Sequence, residues 1–184
     1  MAGPQLQQLM RTLQSARTES GDSLVALSEA SPLLLVFLRH AGCPFCREAI
    51  DDLARARTAI EASGARIVLV HMGDSAAIER RIGKHGLASV DRICDRQQNL
   101  YRAFGLQRGT LRQLFGLKVW WRGFQAAILA RHGIARPSAD SFQMPGVFLI
   151  GQARIAGRFR HRTAADRPDY AAICAVPVHS GRSL

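Results

Sequence analysis

Cysteine is scarce in this chain. Its four cysteines, Cys43, Cys46, Cys94 and Cys174, are distributed unevenly over 184 residues. Small secreted domains held together by disulfides contain more cysteines, because a small core needs cross-links. The composition therefore excludes a disulfide-stapled scaffold and favours a reducing compartment.

Long apolar runs are also missing. No segment approaches the roughly 18 consecutive apolar residues of a membrane-spanning helix, and residues 1–21 contain no apolar segment of signal-peptide length. Hydrophobic residues still make up 47% of the chain and charged residues 21%, which is typical of a globular protein with a buried core. We expect one globular domain in the cytoplasm, with no transmembrane segment.

Acidic residues are too few to balance the basic ones. The chain has 25 Lys and Arg against 14 Asp and Glu, so its formal net charge is +11. Such a charge attracts anions in general, but the arginines are scattered and are not gathered in one block with interleaved aromatics. Nucleic-acid binding is therefore not the preferred interpretation.

Hydrophobic periodicity predicts alternating helices and strands. After an amphipathic helix within residues 1–20, the run "LLLVFL" predicts a strand buried on both faces, and a helix follows from Pro44 to Gly64. The strand "RIVLVHM", a helix capped by Asp74 or Ser75, the strand "VDRICD" and the helix "QQNLYRAFGL" continue the pattern. This order predicts a parallel α/β unit with right-handed crossovers.

The remainder of the chain departs from this alternation. Residues 106–143 are basic and rich in glycine, and we interpret them as a partly helical insertion. The segment "MPGVFLIGQARIAGRF" predicts a hairpin, and "TAADRPDYAAIC" predicts a helix with Thr163 and Asp166 in capping-box spacing. We therefore divide the chain into a helix at 1–20, a domain at 21–176 with an insertion at 106–143, and a tail at 177–184.

Two of the four cysteines lie where the first buried strand gives way to a helix. Cys43 marks the predicted helix start, Pro44 suits the first helical position, and Cys46 follows one turn later. A helix N-terminus stabilises a thiolate, the reactive form of cysteine. Arg39 and His40 add positive charge nearby, so the pattern predicts a redox-active dithiol.

A metal site and inert buried thiols are the alternatives. A structural zinc site needs four ligands, but no second cysteine pair or His-x-x-x-His follows at the usual spacing. We therefore expect no metal ligand among the site residues and no organic cofactor.

The order of these elements resembles the thioredoxin superfamily. In that superfamily a cis-proline precedes the strand after the insertion point and packs against the dithiol. Pro145 of "MPGVFLI" matches this proline, with Met144 before it. The resemblance implies a cis Met144–Pro145 bond, and an ordinary trans proline at the strand start is the alternative.

Within the superfamily, the segments "FLRHAGCPFC", "WWRG", "MPGVFL" and "RHRTAADRPDY" resemble the peroxiredoxin-like AhpC/TSA antioxidant family, and in it the selenoprotein-L-like subgroup. The resemblance covers about residues 31–174. It implies a thioredoxin-like α/β fold, in which helices flank a mixed sheet and a helical insertion precedes the cis-proline strand. We expect that insertion to cover or border the dithiol.

The resemblance also implies a thiol-disulfide oxidoreductase or thiol peroxidase. Its substrates would be protein or small disulfides or peroxides, and its reductant would be thioredoxin or glutathione. Ordinary peroxiredoxins carry Pro-x-x-x-Thr-x-x-Cys, but here Cys43 occupies the threonine position and Arg39 the proline position. The peroxiredoxin order makes Cys46 the nucleophile and the thioredoxin order makes it Cys43. We favour Cys43, because Cys46 lies one turn inside the helix and is expected to be the more shielded thiol.

A binding module is the competing class of function. Trp120, Trp121 and Phe124 lie near Lys118 and Arg122 in the insertion. Such residues can stack on bases or lie at a lipid interface, with the dithiol acting as a redox sensor. They more often close over a core or a site entrance.

The oxidised protein is expected to contain a Cys43–Cys46 disulfide, with Cys94 and Cys174 free, because only the first pair is held within bonding reach by helix geometry. Peptide mapping under non-reducing conditions measures this directly. A dominant disulfide that includes Cys94 or Cys174 would contradict the assignment.

Overall fold

The computed structural model describes residues 3–39, 43–110, 142–163 and 165–178. His40, most of the expected insertion and the end of the tail lie outside these ranges. No helix among the described residues is long and apolar enough to cross a bilayer.

Helices and strands alternate through the described residues. In chain order they are α1 (Pro4–Ser15), α2 (Leu24–Ala30), β1 (Leu33–Phe37), α3 (Pro44–Ala62), β2 (Arg66–His71), α4 (Ser75–Gly83), β3 (Asp91–Cys94), α5 (Asn99–Ala103), β4 (Gly146–Gly151), β5 (Arg154–Arg160) and α6 (Tyr170–Cys174).

The strands form one mixed sheet in the order β3-β2-β1-β4-β5. Strands β1, β2 and β3 run parallel, as the alternation of helices and strands predicts. Strand β4 runs antiparallel to β1, and β5 pairs with β4 as the expected hairpin. The predicted fold class, a thioredoxin-like mixed sheet flanked by helices, is confirmed.

Strand β1 is central to the sheet, and all five of its residues are buried. Its side chains alternate between two hydrophobic clusters, one on each face. Leu34 and Val36 pack in the cluster that includes the buried side of α3, and Leu33, Leu35 and Phe37 pack in the cluster that includes α1 and α5. The sequence of a strand buried on both faces is a continuous apolar run, which is why "LLLVFL" predicts β1.

The short helix α2 was not predicted, because its seven residues give too short a periodic pattern. The predicted cap of α6 is also wrong. The Asp166 carboxylate accepts hydrogen bonds from the backbone and hydroxyl of Thr163, in a turn before the helix. Asp169 is the N-cap of α6, and its side chain accepts from the Ala172 N–H. By contrast, Asp74 caps α4 as predicted.

The expected cis bond before Pro145 is wrong as well. No peptide bond among the described residues is cis, so Met144–Pro145 is trans. The trans form of an X–Pro bond is favoured by about 0.5–1 kcal/mol. Pro145 immediately precedes β4, and the missing N–H is tolerated at a strand start.

Tyr101 of α5 fixes the chain between β1 and the dithiol. Its side chain is fully buried, and its hydroxyl bonds to the carbonyl oxygens of Leu38 and Val70. The Leu38 N–H also donates to the Val70 carbonyl at 2.8 Å. These bonds tie the residue after β1 to the end of β2 and so position the start of the loop that leads to α3.

Tyr101→Phe is expected to lower the free energy of unfolding by about 1 kcal/mol, because it removes a buried hydrogen-bond donor from the Leu38 carbonyl. Urea unfolding followed by circular dichroism measures the change. Tyr170→Phe is the matched control, since the Tyr170 hydroxyl is 3.5 Å from the Ala49 carbonyl oxygen and makes a weaker bond. Equal losses in the two variants would contradict the anchoring role of Tyr101.

Candidate active site

The dithiol lies at the start of α3, at the carboxyl end of the central strand. Cys43 is the N-cap residue, with the extended backbone angles φ −73° and ψ 125°, and Pro44 occupies the first turn. Cys46 follows on the same turn. The predicted placement of both cysteines at a helix N-terminus is confirmed.

Both thiols are buried. Cys43 is 4% exposed and Cys46 is 3% exposed, and neither forms a disulfide in this structure. Cys46 is the more shielded thiol, as expected, but the difference in exposure is very small. The reason is tertiary, because both side chains belong to the hydrophobic cluster on the α3 face of the sheet.

Arg39 contacts both sulfur atoms. Its backbone N–H donates to Cys46 Sγ at 3.1 Å, and its guanidinium Nη1 donates to Cys43 Sγ at 3.7 Å. The residue is only 6% exposed, so its positive charge acts in a poorly solvated environment. The sequence predicted Arg39 as a supporting residue, and the structure brings it to the dithiol.

The two thiols differ in acidity. A hydrogen bond from Cys46 lowers the pKa of Cys43 to about 6 against the opposing effect of burial, and the charge of Arg39 lowers it further. The same hydrogen bond with Cys43, together with burial, raises the pKa of Cys46 well above its usual value. Both effects favour a single negative charge on the pair and favour Cys43 as the residue that carries it.

A cleft opens beside Cys46. Its enclosed space is about 20 Å³, and its walls include Cys46, Pro145 and His161. Pro145 thus lines the same cleft as Cys46, and its peptide bond is trans. Met144 is buried and packs in a small cluster with Ala165.

His161 was missed by the sequence analysis. It follows β5 directly, and burial lowers its pKa to about 4, which the negative charge of Asp166 only partly offsets. The imidazole is therefore neutral at pH 7. Its Nδ1 is shielded from solvent and has no hydrogen-bond partner of normal geometry among the described residues, although the backbones of Pro145 and Asp166 also interact with the ring. No local pattern around "RHRT" predicts that His161 lines the cleft.

Arg167 was missed for a similar reason. It lines the same cleft and pairs with two carboxylates of α3, with Nε 2.7 Å from Asp52 Oδ2 and Nη1 3.5 Å from Glu48 Oε1. These ion pairs join the turn before α6 to the helix that carries the dithiol. The residues are more than 100 positions apart, so spacing in the sequence gives no signal of the contact.

A family model for the AhpC/TSA family matches residues 12–155 of the chain. The chain belongs to the AhpC/TSA family. The match begins within α1, before the first residue of the resemblance recognised in the sequence. Membership of this family and the dithiol at a helix N-terminus identify the protein as an enzyme of the thiol peroxidase or thiol-disulfide oxidoreductase class.

Solved structures of low sequence identity share the fold. The bacterioferritin comigratory protein of Xanthomonas campestris is 15% identical, with a TM-score of 0.60 over 90% of this chain and 91% of that chain. Peroxidoxin BcpB of Mycobacterium tuberculosis is 15% identical, with a TM-score of 0.57 over 86% of both chains. The yeast mitochondrial 1-Cys peroxiredoxin is 14% identical, with a TM-score of 0.55 over 86% of this chain and 68% of that chain. No curated protein sequence matches the chain.

The acidity of Cys43 is expected to depend on a hydrogen-bond donor at position 46. In Cys46→Ser the serine hydroxyl can still donate to the Cys43 thiolate, so alkylation of Cys43 should reach half its maximal rate near pH 6 and fall at lower pH. In Cys46→Ala the donor is lost, so the midpoint should move to higher pH. Rates of iodoacetamide labelling at Cys43, measured by peptide mass spectrometry across pH, give both midpoints. Identical midpoints in the two variants, or one near 9 in Cys46→Ser, would contradict this assignment.

Proposed function

We propose that this protein reduces small hydroperoxides with the Cys43–Cys46 dithiol and stores the oxidised state as an intramolecular disulfide. The observation that carries the proposal is the unequal acidity of two adjacent buried thiols. Cys43 is held as a thiolate by Cys46 and Arg39, while Cys46 keeps a proton. A nucleophile and a resolving thiol thus lie side by side.

The chemistry takes two steps. The Cys43 thiolate attacks one peroxide oxygen and breaks the O–O bond, so that Cys43 becomes a sulfenic acid and the other oxygen leaves as an alcohol after it gains a proton. The Cys46 sulfur then attacks the Cys43 sulfur and displaces water, which forms the disulfide. Two electrons pass from the dithiol to the peroxide, and a thiol reductant must return them.

Burial favours a small substrate. With exposures of 4% and 3%, neither sulfur is accessible to the surface of a folded protein. The narrow cleft beside Cys46 admits only a small molecule and has the His161 imidazole and the Arg39 side chain on its walls. The bacterioferritin comigratory protein that shares this fold is described by its alkyl peroxide reduction activity.

Arg39 takes part of the role that the missing threonine has in ordinary peroxiredoxins. Cys43 occupies the threonine position, so the hydroxyl that would contact the peroxide is absent. The Arg39 guanidinium lies 3.7 Å from Cys43 Sγ. A cation in this position can stabilise the negative charge that moves from the sulfur to the leaving oxygen.

The thiol chemistry also indicates the reductant and the cellular location. We propose thioredoxin or glutathione as the class of reductant and the cytoplasm as the location, because a dithiol cycle and four unpaired cysteines suit a reducing compartment. We also propose assignment to the selenoprotein-L-like subgroup, on the Cys-x-x-Cys spacing together with the segments "WWRG", "MPGVFL" and "RHRTAADRPDY". A nucleic-acid- or membrane-binding function would depend on residues 118–124, which lie outside the described residues.

Rapid mixing of the reduced protein with cumene hydroperoxide, hydrogen peroxide or oxidised insulin tests the proposal. We expect each hydroperoxide to consume two thiols per chain at least about tenfold faster than insulin does, with Cys94→Ser and Cys174→Ser unaffected. Faster oxidation by insulin would instead assign the protein to thiol-disulfide exchange.

The order of attack can be tested in the same assay. In Cys46→Ser, a dimedone adduct is expected at Cys43 after peroxide treatment, because the resolving thiol is absent. Cys43→Ser should give no adduct at Cys46. An adduct at Cys46 alone would reverse the two roles and support the peroxiredoxin order.

A further inference from the structure

A second cluster of ligating side chains lies away from the dithiol. His71 ends β2 and Cys94 ends β3, and the two residues are direct partners in the parallel ladder. Glu19, in the loop between α1 and α2, reaches them from outside the sheet. Its N–H donates to the Arg92 carbonyl at 2.7 Å, which fixes the loop against β3.

The three side chains come close together. A ligand atom of Glu19, one of His71 and the Cys94 sulfur all lie within 4.8 Å of one another. With metal–ligand bonds of about 2.0 to 2.3 Å, the ligand atoms of a tetrahedral zinc site are about 3.3 to 3.6 Å apart. His71 Nε2 and Glu19 Oε1 are already 3.3 Å apart. A separation at the 4.8 Å limit would have to shorten by about 1 Å, which is within the reach of side-chain rotation.

The buried imidazole of His71 has only weak polar contacts, with the Glu19 carboxylate and the Gly73 backbone. Its side chain is fully buried, yet neither ring nitrogen has a hydrogen-bond partner of normal geometry among the described residues. An unsatisfied buried polar atom costs about 1–3 kcal/mol. A metal ion between His71 and Glu19 would give one ring nitrogen a strong partner in place of the weak 3.3 Å contact.

The neighbouring residues suit a site with three protein ligands. Arg92 Nε donates to Glu19 Oε2 at 3.0 Å, so the second carboxylate oxygen is oriented by a partner, as ligating carboxylates usually are. The nearby Asp95 carboxylate is already engaged with the N–H groups of Asn99 and Leu100. An open groove lined by Glu19, Ser75 and Cys94 gives access to solvent, so water can take the fourth position.

We propose that Glu19, His71 and Cys94 form a zinc-binding site, with water as the fourth ligand. Neutral imidazole, thiolate and carboxylate are the ligands that Zn²⁺ prefers. The site lies at the same edge of the sheet as the dithiol but shares no residue with it. Bound zinc would hold Cys94 as a thiolate ligand and protect it from oxidation. This revises the expectation from sequence that the chain has no metal ligands, because Glu19, His71 and Cys94 are too far apart in the sequence to form a motif.

Cobalt substitution tests the proposal. The Cys43→Ser/Cys46→Ser double variant is used as the background, so that the dithiol cannot bind the metal itself. Metal-free protein is titrated with Co²⁺, and we expect one equivalent to give a thiolate-to-cobalt charge-transfer band with the intense visible bands of a tetrahedral site. Addition of Zn²⁺ should abolish both signals by displacement.

Variants identify the ligands. Cys94→Ala should abolish the charge-transfer band, whereas Cys174→Ala, which removes the other remaining cysteine, should leave it unchanged. Glu19→Gln, in a surface loop, should weaken Zn²⁺ binding by more than the roughly 10- to 100-fold that loss of a second-shell partner costs. Competition with a chromophoric chelator measures the affinity.

Two outcomes would overturn the proposal. One is the absence of stoichiometric Co²⁺ binding by the folded background variant. The His71–Glu19 pair would then be a polar contact and not part of a metal site. The other is undiminished binding in Cys94→Ala. Circular dichroism of each variant shows whether weaker metal binding comes from the missing ligand or from loss of the fold.

Discussion

The structure depends on the burial of β1 on both faces. Every side chain of Leu33–Phe37 is buried and takes part in one of the two hydrophobic clusters. The strand therefore joins the two helical layers, and the chain that leaves it is held in place by Tyr101. The dithiol begins six residues after this strand, so the stability of the core and the position of the reactive sulfurs have the same origin.

Burial of the dithiol makes its electrostatics strong. The helix N-terminus, the Arg39 guanidinium and the hydrogen bond from Cys46 all favour a negative charge on Cys43, and they act where water screens them little. The same surroundings disfavour a second negative charge, so Cys46 retains its proton. Two chemically identical side chains thus acquire different acidities from their positions within one helical turn.

The carboxyl edge of the parallel strands carries both cysteine-containing clusters. The dithiol follows β1, while His71 and Cys94 end the next two strands. Parallel strands bring their carboxyl ends to the same edge, and side chains in the following loops meet there. Ion pairs around these clusters join residues from distant parts of the chain, such as Arg167 with Asp52 and Arg92 with Glu19.

The sequence by itself determined the order of the main elements, the dithiol at a helix start and the AhpC/TSA resemblance, because hydrophobic periodicity and local motifs are properties of short segments. Only the tertiary structure decided the equal burial of the two thiols, the trans bond before Pro145 and the cap of α6. It also decided which distant side chains complete the sites. His161, Arg167 and the Glu19–His71–Cys94 cluster depend on contacts between segments far apart in the chain, and no local pattern specifies these contacts.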